Sequence, residues 1–327
     1  MSVKPLTTSD MDRRYAIMQW LSKYSFIIIF FLLLIVSSSL SNAFLTPKNL
    51  FNILLETSVL GVVSVGTTFV ILIAGIDLSI GGVIALSGMV SGVLSKATHG
   101  SVIIAIAAAL LTGCVVGLVN GVATVYGRVP SFVVTLATGT IASGLALLIT
   151  GGQPIYNLSK SVLSVGGDYI GPIPLIAIIW LVIALFALLV LKLTPFGRQI
   201  YAIGDNNFAA FLSGIRVNLY TILIFVVAGL LSGLGGFLYE SWVNVAYPDA
   251  GSSYTLESIA AVVIGGTSLF GGIGGVGGTI LGSLMLIIFT NIFNLVGLPA
   301  VLQMVGYGCL ILFALLLNQW LQKYNAS

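Results

Sequence analysis

PLIAIIWLVIALFALLVLKL (174–193) running into TPFGRQIYAIGDNNFAAFLSGIRVN (194–218) holds the alternation that makes this chain a membrane protein. The first block is apolar except for Lys192 near its end, and about 20 such residues are what a helix needs to cross a bilayer core about 30 Å thick. The second block is polar and carries Arg198, Asp205 and Arg216. It is long for a connection between packed helices, which usually takes about 2–8 residues. Its middle predicts a short helix. Asp205 or Asn206 can cap it by accepting from the first free amides; Phe208, Ala209, Ala210, Phe211 and Leu212 follow, and Gly214 stands where a helix end favours left-handed backbone. On these residues alone, a solvated connector and a docking element for a cytoplasmic partner are both open.

Outward from this pair the pattern repeats. Charged residues make up 6% of 327 positions and apolar ones 58%, and the mean hydropathy is +1.16, whereas soluble domains are roughly 25% charged. The chain is therefore expected to be an all-α polytopic membrane protein forming one transmembrane unit over 1–327. Ten candidate spans follow, at about 25–43, 51–74, 80–97, 101–126, 131–150, 174–193, 219–239, 256–269, 277–296 and 300–318.

Basic residues orient it. With the N-terminal segment 1–24 inside, the cytoplasmic side holds Lys4, Arg13, Arg14, Lys23, Arg128, Lys192, Arg198, Arg216 and Lys323, and the outer side holds Lys48, Lys96 and Lys160. Nine against three is a positive-inside bias. It puts 194–218 and both termini in the cytoplasm and 151–173 outside. Trp20, Tyr24, Trp320 and Tyr324 fit interfacial anchors at the first and last spans. Cleavage after the small residues Ser37 to Ala43 would invert this bias, so the first helix reads as an uncleaved span. The outer segment 151–173 is rich in Gly, Pro, Asn and Asp, which marks turns instead of a span.

Glycine clusters at 75–92 and 265–282. An offset of 190 pairs Gly75, Gly81, Gly82, Gly88 and Gly92 with Gly265, Gly271, Gly272, Gly278 and Gly282, as an internal repeat would. Gly75-Ile76-Asp77-Leu78-Ser79-Ile80-Gly81-Gly82 joins two spans with no polar loop, and Gly265, Gly266, Gly271 and Gly272 interrupt another. Both are expected to be helix breaks beside a possible pathway, since irregular backbone at membrane depth is tolerated only against protein or water. Asp77 is expected to cap the helix starting near Leu78, with gating or substrate contact as the alternatives. Glu56, Glu240 and Glu257 read as interfacial carboxylates near outer helix ends.

The sequence contains no G-x-x-x-x-G-K-[ST] loop and, with a single His99 beside Gly100, no H-E-x-x-H; no Ser-His-Asp arrangement is expected around that lone His. Cys114 and Cys309 lie in predicted helices without metal or disulfide spacing. No catalytic residue, metal or cofactor is expected.

ILIAGIDLSIGGVIALSGMVSG at 71–92, FGRQIYAIGDNNFAAFLSGI in the polar loop and ESIAAVVIGGTSLFGG at 257–272 together resemble the ribose-type sugar permeases of ABC transporters. The resemblance spans nearly the whole chain in length, span number and motif order. It implies a non-enzymatic inner-membrane permease for a small sugar, a second permease subunit (identical or paralogous), a separate cytoplasmic ATPase and a periplasmic or extracellular sugar-binding protein. It makes 205–214 the coupling helix that rests on the ATPase. Asp205-Asn206-Asn207 departs from the usual Gly-Asn followed by an acidic or Pro-containing pair. An ion-coupled secondary transporter, or a channel without energised transport, remains the alternative; the lipid bilayer is the surrounding partner in every case, and nothing points to nucleic acid.

Overall fold

The computed structural model describes residues 27–98, 100–299, 301–303 and a few positions between 305 and 312. The span expected at 300–318, both termini, His99 and the four anchoring aromatics lie wholly or largely outside the described residues.

Twelve helices are described: α1 (Ile27–Leu40), α2 (Pro47–Leu72), α3 (Ile80–Ala97), α4 (Val102–Gly127), α5 (Ser131–Thr150), α6 (Lys160–Gly167), α7 (Leu175–Leu193), α8 (Pro195–Asp205), α9 (Asn207–Leu212), α10 (Val217–Val243), α11 (Tyr254–Ile264) and α12 (Val276–Leu295). Seven of them, α2, α3, α4, α5, α7, α10 and α12, are long and apolar enough to cross a membrane; α1 and α11 are apolar but shorter. Among the described residues this is fewer than the ten expected spans. The stretch expected at 256–269 ends its helix at Ile264, where Gly266 turns to φ +87°. The 151–173 segment, read from the sequence as turns instead of a span, includes short regular elements. It contains α6, capped by Ser159, and a two-residue antiparallel hairpin of β1 (Tyr169–Ile170) and β2 (Ile173–Pro174).

α2 is the central helix. Thr46 caps it by accepting from the Asn49 amide, with Pro47 at its first position. It packs against α7, α10, α11 and α12. Trp180 of α7 lies over Gly61, where any side chain would overlap the indole. Asn49 and Asn291 exchange two amide hydrogen bonds of 2.9 Å each, and Thr68 and Thr279 pair at 2.7 Å, tying α2 to α12. With no hydrophobic drive between helices in lipid, such bonds and close backbone packing hold a bundle together.

The α4–α10 pair shows that packing most clearly. Gly113, Gly117 and Gly121 repeat every four residues on α4 and face Gly229, Phe225 and Ile222 of α10. A Cβ at Gly113 would overlap the Gly229 carbonyl, and one at Gly117 the Phe225 carbonyl. Small residues at this spacing let two backbones approach closely.

The bundle has two distinct ends. At one end Ser159 and Ser161 of the α6 region reach the Gly100 carbonyl, and Ile155 pairs with Ala246. At the other lie the end of α2, the start of α3, α8, α9 and the 265–275 segment.

Candidate functional site

The polar 194–218 segment holds two helices where one was expected. Thr194 accepts from the Gly197 amide and Pro195 opens α8, a Thr-Pro start that was present in the sequence. A Cβ at Gly197 would overlap the Leu191 backbone, which explains the tight turn from α7 into α8. The chain bends at Asn206 (φ −153°, ψ 103°), whose Oδ1 accepts from the Ala209 amide at 2.9 Å and caps α9. Asn206, not Asp205, is therefore the cap; Asp205 is the last residue of α8. Gly214 takes φ +83°, and the Ile215 amide donates to the Ala210 carbonyl to close the helix end.

The two faces of α9 differ. Ala210 is buried with Ile203 and Val217, against Ile73, Ile215 and Tyr220. Phe208, Phe211 and Leu212 are 71%, 64% and 68% exposed, and Ala209 is exposed beside them. Ala210 thus anchors the element and takes no part in its outward surface. Three large apolar side chains on a six-residue helix, outside the spanning segments, form an unpaired apolar patch.

The 73–79 segment is a second polar construction. α2 ends with the Gly75 amide donating to the Val70 carbonyl and the Ala74 amide to the Ile71 carbonyl, the two bonds of a Schellman end. The left-handed residue is Ala74 at φ +58°, not Gly75. Asp77 is 2% exposed, and its Oδ1 accepts from the Ser79 amide at 2.8 Å and the Ser79 hydroxyl at 2.6 Å. It does not cap a helix from Leu78: α3 starts at Ile80, and its cap residue Ser79 makes no side-chain capping bond. The Gly81 amide instead finds Thr255 Oγ1 of α11 at 2.9 Å.

Residues that the sequence did not single out complete this construction. Asn120 of α4 donates to Ser79 Oγ at 2.9 Å and accepts from Thr138 Oγ1 at 2.5 Å. Ser131 and Thr135 of α5 accept from the Ile76 and Leu78 amides at 3.1 and 2.9 Å. Non-helical backbone inside a bundle needs such partners. A Ser/Thr stripe at 131, 135 and 138 and a lone Asn within an apolar helix were the available signals. Gly81 and Gly82 sit in contact with backbone on two sides: a Cβ on Gly81 would come 2.5 Å from the Gly251 carbonyl, and one on Gly82 would overlap that of Gly139.

Asp77→Asn keeps an Oδ1 acceptor for both Ser79 bonds, so stability and transport should stay close to wild type. Asp77→Ala orphans the buried Ser79 amide and should cost about 1–3 kcal/mol, read as a lower melting temperature of the purified protein. Equal damage from Asn would assign the charge itself the role.

The two glycine-rich stretches do not superpose as equal elements. The offset of 190 pairs Ile80, where α3 begins, with Phe270, whereas α12 begins at Val276. Gly81 and Gly82 are helical; Gly271 and Gly272 are turn residues at φ +85° and +72°. Instead the two stretches touch, since the Gly272 amide donates to the Leu72 carbonyl at 3.0 Å.

Glu240 overturns the interfacial expectation for that residue. It is 1% exposed, accepts a hydrogen bond from Ser91 of α3, and leaves Oε2, above Gly88 and Gly92, without a partner among the described residues. Glu56 and Glu257 are partly exposed. Heptad-free apolar helices gave no hint that one carboxyl turns inward.

Residues 49–315 match the family described as branched-chain amino acid transport system / permease component. The ribose import permease protein RbsC of Haemophilus influenzae is 41% identical over 91% of this chain and 93% of its own. That of Escherichia coli K12 is 39% identical over 96% and 99%. The D-allose transport system permease protein AlsC of the same organism is 33% identical over 92% and 93%. No solved structure matches. None of these comparisons supports the ion-coupled alternative, and the relatives are transport components, not enzymes. With a family match over most of its length and relatives aligned end to end, this multi-pass chain belongs to the ribose-type permease family of ABC importers.

Proposed function

We propose that the chain is the membrane-spanning subunit of a bacterial importer that carries a monosaccharide across the inner membrane, with D-ribose the first sugar to test. The observation that carries this is the end-to-end match to ribose import permeases. A cytoplasmic ATPase supplies the energy, a sugar-binding protein delivers substrate to the face bearing 151–173, and a second permease subunit completes the pathway. The apolar patch of Phe208, Phe211 and Leu212 docks on the ATPase, with Asp205, Asn206, Ala209 and Gly214 shaping its approach; its exposure outside the spans supports this. Ten spans, α1 and α11 joining the seven long helices and the tenth falling outside the described residues, leave both termini in the cytoplasm. The interruptions at Gly75–Gly82 and Gly265–Gly272, including Asp77 and Ser79, act as helix breaks beside the pathway. Transport is alternating access, and the chain performs no bond chemistry.

In vesicles holding the permease, its ATPase and its binding protein, uptake of radiolabelled D-ribose should require ATP and persist when ion gradients are collapsed. Uptake driven by an ion gradient without ATP would overturn the assignment. The sidedness has its own test. In a background lacking Cys114 and Cys309, a cysteine in place of Asn157 should react with an impermeant thiol reagent on intact cells, and one in place of Asn207 should not. The reverse pattern would invert the topology.

A further inference from the structure

The end of α8 touches both glycine-rich stretches through backbone alone. A Cβ on Gly204 would overlap the Leu72 carbonyl oxygen at the end of α2 and lie 2.5 Å from the Gly272 amide nitrogen. Leu72 and Gly272 are themselves joined by a hydrogen bond of 3.0 Å. A Cβ on Gly271 would lie 2.8 Å from the Gly204 carbonyl and 2.9 Å from the Ala74 amide. Three residues before Gly204, Tyr201 donates its hydroxyl to the Gly274 carbonyl at 2.9 Å. Three chain segments thus meet at one point with no side chain between them.

Before these segments can part, the Gly272–Leu72 and Tyr201–Gly274 hydrogen bonds must break. We infer that Gly204 is a positioning residue that locks the end of α8 to Leu72 and to Gly271–Gly274, so that these three segments move as one body when α9 is displaced. The lock has a direction of transmission. Leu72 leads through Ala74 into the 73–79 segment, whose Asp77–Ser79–Asn120–Thr138 network reaches α4 and α5. The 271–275 turn leads into α12 at Val276, which is bonded to α2 through Thr279. Displacing α9 therefore shifts the inner ends of α2, α3 and α12 together. This rests on α9 being the element that the ATPase moves.

Two variants test it in the assembled transporter, with D-ribose uptake and ATP hydrolysis measured in the same vesicles. Gly204→Ala forces Leu72 and Gly272 apart. The ATPase should still co-purify and hydrolyse ATP, while uptake falls about tenfold, within the range of site-to-site coupling. Unchanged uptake would overturn the inference. The second variant works even if Gly204→Ala does not insert. An ideal Cβ on Gly272 lies 3.4 Å from that of Asp205, next to the range of about 3.5–4.5 Å that a disulfide spans. Asp205→Cys/Gly272→Cys, made in a Cys114→Ser/Cys309→Ser background, serves in its reduced form as its own reference, whatever its uptake relative to wild type. Once the cross-link is confirmed by mass spectrometry, oxidation should not lower that uptake further, because the two segments never part. Uptake that stops on oxidation and returns on reduction would show them sliding, and the lock would be wrong. Failure of the coupling assignment itself shows separately, as an Ala209→Glu chain that still binds its ATPase and responds to it.

Discussion

Ala209→Glu should release the ATPase from the transporter while the permease still inserts and folds. Ala209 is exposed between Phe208 and Phe211, which are 71% and 64% exposed, so nothing within the chain objects to a longer side chain there. Against a partner the outcome differs. An unpaired charge in a desolvated contact costs about 3–5 kcal/mol, and loss of an aromatic anchor such as Phe208→Ala costs about 2 kcal/mol or more. Co-purification with the ATPase and substrate-stimulated hydrolysis are the readouts, and the glutamate variant should be the more severe of the two. Wild-type association in both would reduce α9 to a connector. Ala210→Glu is a useful contrast, because Ala210 is 4% exposed and packs on Ile203 and Val217; that change should damage the permease itself.

Gly113→Leu should prevent a stable fold. Its first carbon already overlaps the Gly229 carbonyl, and the neighbouring Gly233 backbone closes the same groove at 3.0 Å. Rotamer change gives no relief against backbone, so α4 and α10 must separate, at the upper end of or beyond the about 1–3 kcal/mol of ordinary overpacking. Yield of monodisperse protein in detergent and its melting temperature should both fall. Gly167→Ala, where nothing lies within 4 Å of an added Cβ, should leave both unchanged. Normal behaviour of Gly113→Leu would mean the two helices do not approach as closely as their glycines allow.

Much of the long-helix architecture was legible beforehand because it follows from one local property. A run such as 174–193 is apolar over the length that a bilayer demands, and α7 spans Leu175–Leu193. The 131–150 and 80–97 stretches likewise became α5 and α3 at the expected residues. Cap and turn signals were legible too: Asn206 caps α9 and Gly214 adopts positive φ. The Thr194-Pro195 start of α8 and the glycines at 113, 117 and 121 were equally visible in the sequence but carry meaning only once a partner helix is known. Asp77 shows the limit of local signals. Asp before an apolar run suggests a cap, yet tertiary bonds to Thr255, Thr135 and Ser131 satisfy the surrounding amides, and the helix starts at Ile80, two residues after Leu78.

What the sequence determined by itself was whatever depends on a residue and its near neighbours: membrane character, the long spans, the polar loop and the family. Only the tertiary structure decided where Glu240 points, that the two glycine-rich regions meet at Leu72 and Gly272, and that Gly204 sits between them. The physical reason is one of distance along the chain. A glycine permits close approach but names no partner, and a carboxyl in an apolar helix can face lipid headgroups or protein at equal sequence cost. Leu72, Gly204 and Gly272 are far apart in the chain, and the backbone that each must avoid or bond belongs to the other two.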